Sequence, residues 1–350
     1  MITQTVATTD YHTAGEPFRI VAEPPVPLPG DSVADRRARA LTSAAAQELR
    51  QLLCSEPRGH ADMYGGFLVP PDDDGAHLGV LFWHKDGFST ACGHGTIALG
   101  AWAVDTGLVA APDDGAVDVV MDVPSGRVTA RVHRAGGRTV GVDFVNVPSY
   151  VLARDLAVPT TRGTASATLT YGGAIYASVD ATSLGLSVEP AAYADLITVG
   201  REIKHAIDAQ GLAVHPTDPR LSGVYGTILF EEPDAGTGAG PGTGNGPGSP
   251  VRQRNVTVFA DGQVDRSPCG SGTCARLAVL ADDGRVGVGG PVLEHTSIVG
   301  SAFTGAVVGT TRVGDLPAVI PQVTGMAYRT GEHRFVVDAA DTLVPGFVLR

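Results

Sequence analysis

The stretch DRSPCGSGTCARLAVLADDG, from Asp265 to Gly284, places a thiol directly before a Gly-Ser-Gly turn and an apolar segment. An earlier stretch, CGHGTIALGAWAVDTG, from Cys92 to Gly107, follows the same plan. When Cys92 is aligned with Cys269, eight of sixteen positions are identical, at an offset of 177 residues (269 − 92). The chain therefore contains an internal repeat, with one cysteine in each copy.

Each copy of the repeat predicts a strand, a hairpin and a buried helix. The stretches GVLFWHKDGFSTACGHG and NVTVFADGQVDRSPCGSG both run from a strand-like segment through an Asp-Gly pair, which is a strong hairpin signal, to the cysteine. The segments after the cysteines are apolar nearly all round, as in helices buried on every side. We therefore predict the α/β (α+β) class, with two pseudo-symmetric halves that each surround a central helix with a strand-rich layer.

Further strands and two surface helices are predicted from local patterns. Runs rich in Val, Ile and Phe, such as LGVLFWH, AVDVVMDV, TVGVDFVNV, GTILF and FVVDA, are typical of strands. The apolar spacing in Arg36–Leu53 predicts one amphipathic helix, and Ala191–Gln210 predicts another with a break near Gly200.

The length of 350 residues favours two domains. We predict a first domain at residues 1–150, with 336–350 as a candidate completing segment, and a second domain at residues 151–335. Residues 233–250 are rich in Gly and Pro without a collagen period, which predicts a flexible surface insert in the second domain.

Composition narrows the classes of function. The net charge is −12 and no Lys/Arg-rich run occurs, which argues against nucleic acid or an anionic membrane as a partner. No apolar run approaches 18 residues, and the N-terminal stretch lacks the basic and apolar regions of an export signal, so we expect a cytoplasmic protein. The four cysteines have neither disulfide-scaffold nor CxxC spacing. Neither a zinc motif nor a complete dinucleotide-binding unit is present, so we expect no metal and no cofactor.

Two thiols at helix N-termini suggest acid–base chemistry. Exposed N–H groups at a helix start stabilise a thiolate, and thiol pKa values at such places fall from about 8.5 to roughly 3.5–7.5. The same N–H groups bind carboxylates, and the glycines after each cysteine allow a close approach. If the two units face each other across a cleft, with sulfurs roughly 6–7 Å apart, one sulfur removes an α-proton and the other protonates the opposite face.

The residues resemble the proline racemase superfamily, which includes hydroxyproline 2-epimerases and trans-3-hydroxy-L-proline dehydratases. Besides the two cysteine motifs, the matching stretches are DYHTAGEPFRIV, RGHADMYGGFLVPP, YGGAIYASVDA and HPTDPRLSGVYG. The resemblance covers nearly the whole chain except the Gly/Pro-rich insert. It implies two halves like those of diaminopimelate epimerase, a small imino acid as substrate and an active site between the halves. A homodimer is the candidate assembly.

The resemblance also implies roles for particular residues. Cys92 and Cys269 correspond to the acid–base pair. Four residues are expected to donate backbone N–H groups to the substrate carboxylate: Gly93, His94, Gly270 and Ser271. His94 and Asp265 are expected to contact the ring nitrogen, and Phe259 is expected to help enclose the ring. Cys54 and Cys274 are expected to be buried filler, as most cysteines are.

Several functions stay open at the level of sequence. The Cys92/Cys269 pair resembles racemases and epimerases that act at the α-carbon of proline or hydroxyproline. Much of the surrounding chain instead resembles the dehydratase branch, which commonly carries Thr at the position of Cys269. A thiol hydrolase would need one Cys–His pair and would leave the second copy of the repeat unexplained. A member of the family that binds imino acids without turnover is the remaining alternative.

Overall fold

The computed structural model describes residues 2–232 and 248–349. The chain divides into two compact units, residues 1–144 with 326–350, and residues 145–325. These boundaries differ from those of the predicted domains, at residues 150 and 335. Of the predicted Gly/Pro-rich insert, residues 233–247 lie outside the described residues.

The described residues form five α-helices and three short 3₁₀-helices. The α-helices are α1 (Val33–Ala40), α2 (Ala44–Cys54), α3 (Gly93–Asp105), α4 (Tyr193–Ala209) and α5 (Gly270–Asp282). The 3₁₀-helices are Ala181–Leu184, Pro190–Ala192 and Pro219–Leu221.

Strands make up most of the remaining ordered structure. Within the described residues they are β1 (Ile2–Thr13), β2 (Glu16–Val21), β3 (Gly65–Val69), β4 (Leu78–His84), β5 (Gly87–Phe88), β6 (Gly115–Val123), β7 (Gly126–Ala135), β8 (Arg138–Val145), β9 (Tyr150–Thr160), β10 (Gly163–Tyr171), β11 (Ile175–Asp180), β12 (Val224–Glu231), β13 (Val251–Phe259), β14 (Gln263–Asp265), β15 (Leu293–Ser297), β16 (Ala302–Val313), β17 (Leu316–Gly325) and β18 (Ala327–Asp338).

The two units repeat one order of strand pairing. In the first unit β18, β1 and β2 pair antiparallel, β2 runs parallel to β3, β3 pairs antiparallel with β4, and β4 runs parallel to β6. In the second unit β9, β10 and β11 pair antiparallel, β11 runs parallel to β12, β12 pairs antiparallel with β13, and β13 runs parallel to β15. Parallel neighbours need crossovers, and helices provide them in both units. The prediction of two pseudo-symmetric halves is confirmed at this level.

A buried helix occupies the centre of each unit, as predicted. Helix α3 packs against β1, β2, β6, β7 and β18, and α5 packs against β9, β10, β11, β16 and β17. Every residue from Gly93 to Val104 is buried, as is every residue from Gly270 to Leu280. At Gly100 a Cβ would lie 2.5 Å from the Cβ of Ala130, so the helix approaches the sheet at a distance that only glycine permits.

The predicted hairpins are confirmed, and they lead into the cysteines. Trp83 pairs with Phe88 across the first Asp-Gly turn, and Phe259 pairs with Gln263 across the second. Gly262 adopts a φ of +91°, a conformation that glycine provides at little cost.

Two helix predictions need correction. The single helix predicted at 36–53 is wrong, because the segment forms α1 and α2, separated at residues 41–43. The Ser43 hydroxyl accepts a hydrogen bond from the N–H of Ala46 and so starts a new helix. The break predicted near Gly200 is also wrong. Helix α4 is continuous, and a Cβ at Gly200 would lie 2.6 Å from the Cβ of Val258, so this glycine serves close packing.

A buried ion pair fastens β1 and β2 to the end of α2. The Arg19 guanidinium donates to both carboxylate oxygens of Asp10, at 2.8–3.1 Å. Its third nitrogen donates to the carbonyls of Leu53 and Arg58, each at 2.7 Å. Arg19 is 6% exposed, so its partners replace nearly all of its hydration. Loss of one member leaves an uncompensated buried charge.

We therefore expect Arg19→Ala to lower the free energy of unfolding by about 3–5 kcal/mol. The exposed Arg39–Asp35 pair supplies a control, since Arg39→Ala removes a surface ion pair worth at most about 1 kcal/mol. Urea denaturation of both variants measures the difference. Equal losses of stability in the two variants would contradict the role assigned to Arg19.

Candidate active site

Cys92 caps the N-terminus of α3, the position predicted for the first thiol. Its sulfur accepts a hydrogen bond from the N–H of Gly95 at 3.2 Å, and the side chain is buried. A Cβ at residue 95 would lie 2.8 Å from that sulfur and 2.4 Å from the ring of Phe18. Glycine is therefore required here, because any side chain would displace the thiol or the ring beneath it.

The imidazole of His94 lies against the Cys92 thiol. Both ring nitrogens are 3.5 Å from the sulfur, and the rings of Phe18 and Tyr64 contact the imidazole edge-on at 5.8 and 5.0 Å between centroids. Burial lowers the pKa of His94 to about 3, although a hydrogen bond to the Pro17 carbonyl favours the charged form. His94 is therefore neutral at physiological pH, and it adds no positive charge beside the thiol.

Cys269 caps α5 in a different backbone conformation. Its φ is +63°, whereas that of Cys92 is −156°, and a non-glycine residue in such a region stores about 1–3 kcal/mol of strain. The sulfur accepts from the N–H of Gly272 at 3.3 Å, and the Cys269 N–H donates to the Ser267 hydroxyl at 3.0 Å. A Cβ at residue 272 would lie 2.9 Å from the sulfur, which repeats the requirement seen at Gly95.

The expectation of a lowered thiol pKa is wrong for Cys269. Complete burial raises its pKa well above the usual value, and the negative charge of Asp265 raises it further. The hydrogen bond from the Gly272 N–H and the contact with the Tyr176 hydroxyl act in the opposite direction but are outweighed. Cys269 is therefore a protonated thiol at neutral pH, suited to supply a proton.

Asp265 shares this buried environment on β14, opposite Thr257 on β13. Burial raises its pKa to about 6, although one of its carboxylate oxygens accepts from the N–H and hydroxyl of Ser267 at 2.8 and 2.7 Å. The carboxylate is thus ionised at neutral pH at a considerable desolvation cost. A cationic ligand would offset that cost by pairing with it.

The first turns of both helices contain N–H groups that lie outside the helical hydrogen-bond pattern. The helical hydrogen bonds begin with the N–H of Thr96 to Cys92 and of Thr273 to Cys269, at 3.0 and 2.7 Å. Of the N–H groups before them, those of Gly95 and Gly272 donate to the capping sulfurs, and the others have no carbonyl partner within the helix. In α5 these include Gly270 and Ser271, which sequence reasoning named as carboxylate donors. Gly93 has the same position in α3.

Phe259 ends β13 beside this part of the second unit. It is 3% exposed, and its ring stacks on Tyr225 with 5.6 Å between centroids. On the neighbouring strand β12 its partner is Gly226, where a Cβ would lie 3.0 Å from the Cβ of Phe259. Phe259, the residue expected to enclose a substrate ring, is therefore held in place by Tyr225 and by the backbone at Gly226.

Sequence reasoning missed two residues of this region, Tyr176 and Gln263. The Tyr176 hydroxyl lies 2.7 Å from the Ser271 hydroxyl and 3.9 Å from the Cys269 sulfur. Gln263 precedes Asp265 by two residues on β14, and neither polar atom of its buried amide has a partner among the described residues. Side chains two residues apart on a strand lie on the same face, so Gln263 shares a face with Asp265. This spacing is visible in the sequence and could have identified Gln263.

The other two cysteines are buried apart from these contacts. Burial raises the pKa of Cys54 and of Cys274 to about 12 in each case, so both thiols stay protonated. Within residues 2–232 and 248–349, no three His, Cys, Asp or Glu side chains are grouped as metal ligands. None of the helices in these ranges has the length and apolar character needed to span a membrane.

Comparison with known proteins identifies the family. The proline racemase family model matches residues 8–348. A trans-3-hydroxy-L-proline dehydratase of Burkholderia ambifaria is 43% identical, with 100% of this chain and 99% of that protein aligned. A 3-hydroxyproline 2-epimerase of Burkholderia multivorans is 42% identical over the same shares of both chains. This chain belongs to the proline racemase family.

A solved structure supports the same assignment. The crystal structure of a hydroxyproline epimerase from Agrobacterium vitis, with bound trans-4-hydroxy-L-proline, superposes with a TM-score of 0.89. It is 31% identical and covers 100% of this chain and 97% of its own. The predicted fold class is thereby confirmed, and the protein is an enzyme of this family.

The electrostatic link between Asp265 and Cys269 yields a prediction. Asp265→Asn removes the negative charge that raises the thiol pKa, so the thiolate fraction at a fixed pH rises. We expect alkylation of Cys269 by iodoacetamide at pH 8 to become at least about tenfold faster, equivalent to one pKa unit. Peptide mass spectrometry assigns the modified cysteine.

Asp261→Asn is the matched control, because Asp261 is half exposed in the turn before β14 and pairs with Arg201 at 2.8 Å. Its neutralisation should leave the alkylation rate of Cys269 unchanged. A rate that is unaltered or slower in Asp265→Asn would show that the carboxylate does not control the thiol.

Proposed function

We propose that this chain is a cofactor-independent epimerase that inverts the α-carbon of a hydroxyproline, with 3-hydroxyproline as the foremost substrate. The observation that carries the proposal is that a thiol occupies the start of both buried helices. Each sulfur is held by the N–H of the third residue after it, Gly95 or Gly272. Relatives at 42–43% identity are named for 3-hydroxyproline, which supports this choice of substrate.

The proposed reaction needs two groups that exchange roles. The Cys92 thiolate removes the α-proton from one face of the substrate, and the electron pair moves into the carboxylate. The Cys269 thiol then delivers its proton to the opposite face, so that Cys92 ends as a thiol and Cys269 as a thiolate. The reverse sequence converts the other epimer. The raised pKa of Cys269 supports its assignment as the proton donor in the free enzyme.

The substrate's charges match the groups on these elements. Its carboxylate gains negative charge as the α-proton leaves, and the N–H groups at the start of α3 and α5 stabilise that charge. Its ring nitrogen is a secondary ammonium at neutral pH, for which ionised Asp265 is the counter-ion. Neutralisation of Asp265 by that ammonium also lowers the pKa of the Cys269 thiol, so substrate binding itself prepares the thiol for proton transfer.

A trans-3-hydroxy-L-proline dehydratase is the second candidate, favoured by the names of relatives at 43% identity. That reaction also begins with removal of the α-proton, but the 3-hydroxyl then leaves as water and no second base is needed. The presence of Cys269 favours epimerisation, because a second thiol supplies the proton that the opposite face requires.

Incubation with trans-3-hydroxy-L-proline in heavy water separates the candidates. We expect the C2 epimer, cis-3-hydroxy-D-proline, with deuterium at the α-carbon, and at least about a thousandfold loss of epimerisation in Cys92→Ser and Cys269→Ser. Cys274→Ser is the control, since this cysteine is buried filler. Chiral chromatography with mass spectrometry detects the products.

Consumption of substrate to a cyclic imine without the epimer would identify a dehydratase. Binding of pyrrole-2-carboxylate by calorimetry, with no turnover of any proline or hydroxyproline isomer, would identify a binding protein. Full epimerase activity in both serine variants would exclude the two-thiol mechanism.

The pH dependence follows from Asp265. Its pKa is raised to about 6 in the free enzyme, so below that pH the carboxyl is neutral and cannot pair with the substrate ammonium. We expect kcat/KM to fall tenfold per pH unit on an acid limb with an apparent pKa near 6, because kcat/KM reports the free enzyme. The acid limb of kcat should lie lower, since bound ammonium favours the ionised carboxylate. A kcat/KM that is flat down to pH 5 would contradict this role.

A further inference from the structure

The Tyr176 hydroxyl bridges the second thiol and the first turn of its helix. It lies 2.7 Å from the Ser271 hydroxyl, a good hydrogen-bond distance, and 3.9 Å from the Cys269 sulfur, a long contact acceptable for sulfur. All three residues are buried. A continuous chain of three hydrogen-bonding groups therefore runs from the reacting sulfur to the helix start.

The surroundings fix the direction of the Tyr176 side chain. Its strand neighbour on β12 is Gly226, which has no side chain, and the ring contacts Tyr225 edge-on at 5.7 Å between centroids. Tyr176 also belongs to one apolar cluster with Ile228 and Cys269. These packing contacts hold the hydroxyl near the sulfur together with its hydrogen bond to Ser271.

The hydroxyl of Tyr176 is a hydrogen-bond partner and not a base. Burial raises its pKa well above the usual value, so it stays protonated. A protonated hydroxyl can accept one hydrogen bond and donate another, and so can that of Ser271. The hydrogen bonds among Cys269, Tyr176 and Ser271 can therefore all point from the sulfur toward Ser271 or all point from Ser271 toward the sulfur.

We propose that Tyr176 is a positioning residue that serves Cys269 in both of its protonation states through a reversible chain of hydrogen bonds. With the thiol, the S–H donates to the Tyr176 oxygen and the Tyr176 O–H donates to Ser271. With the thiolate, the Ser271 O–H donates to Tyr176 and the Tyr176 O–H donates to the sulfur. Only the two O–H groups rotate, and no covalent bond beyond that of the transferred proton changes. The inference rests on the proposed epimerase function.

The first thiol has a different partner. The group against Cys92 is the His94 imidazole, at 3.5 Å, and it is neutral. Loss of the Tyr176 hydroxyl should therefore impair only the proton transfer that involves Cys269. This asymmetry makes the proposal testable by isotope effects.

The experiment compares Tyr176→Phe with Tyr150→Phe. Tyr150 is equally buried in the same unit, and its hydroxyl bonds to His215 at 2.9 Å, so the control loses a comparable hydrogen bond elsewhere. We expect Tyr176→Phe to lower kcat/KM about 10- to 100-fold, as for a hydrogen bond to a charged group. Tyr150→Phe should retain the wild-type value, and circular dichroism checks the fold of both.

The decisive measurement is the α-deuterium isotope effect on kcat/KM for trans-3-hydroxy-L-proline and for its C2 epimer. The equilibrium constant fixes the ratio of the two kcat/KM values, but it does not fix the ratio of the two isotope effects. A slower step at Cys269 raises the isotope effect for the epimer whose α-proton Cys269 removes, and it lowers the effect for the other epimer. Opposite changes in Tyr176→Phe, absent from Tyr150→Phe, would support the proposal.

A general structural defect would leave both isotope effects as in the wild type, and that result would overturn the proposal. As a second readout, alkylation of Cys269 at fixed pH should be about tenfold slower in Tyr176→Phe, because the thiolate loses a donor. An unchanged alkylation rate would also overturn it. If the wild type fails to interconvert the epimers while alkylation still slows, the proposed function is what fails, and the catalytic role of Tyr176 is rejected with it.

Discussion

The N–H groups at the starts of two buried helices, which have no carbonyl partner within the helix, are the constraint on which the rest of this structure depends. A buried helix cannot leave its first donors without partners, since each unmet donor costs about 1–3 kcal/mol. In both units a cysteine sulfur accepts one of these donors, from Gly95 or Gly272. Gly93, Gly270 and Ser271 also carry N–H groups that the helical hydrogen bonds leave for other acceptors, such as an anionic ligand or water. Folding and the proposed binding of a carboxylate are therefore linked, because the burial that stabilises each unit also leaves helix N–H groups in need of an acceptor.

Sequence could predict the elements whose signals are local. The repeat around Cys92 and Cys269 predicted the hairpins, the caps and the two buried helices, because glycine pattern, Asp-Gly turns and apolar runs each act within about twenty residues. The split between α1 and α2 was missed, since one Ser43 cap outweighed a continuous amphipathic pattern. The glycine at 200 was misread as a helix break because its close neighbour, Val258, lies on a distant strand.

The candidate site was less predictable, because its electrostatics depend on burial and on contacts between separate elements. A cysteine at a helix N-terminus predicts a reactive thiolate from the dipole alone. At Cys269 desolvation and the Asp265 charge reverse that expectation, and neither can be read from the local stretch. Tyr176 shows the same limit, since β11 and α5 must pack together before its hydroxyl has any relation to the thiol.

The repeat produced two similar helix starts that are chemically unequal. Two coupled thiols in identical surroundings would share one proton over a range of pH, with neither sulfur favoured as its holder. A neutral imidazole beside Cys92 and a carboxylate beside Cys269 break that symmetry. In the proposed reaction, a substrate ammonium that pairs with Asp265 would reduce the effect of this carboxylate on the pKa of Cys269. The proposed reaction would therefore use one ion pair both to bind the substrate ring and to adjust the acidity of the second thiol.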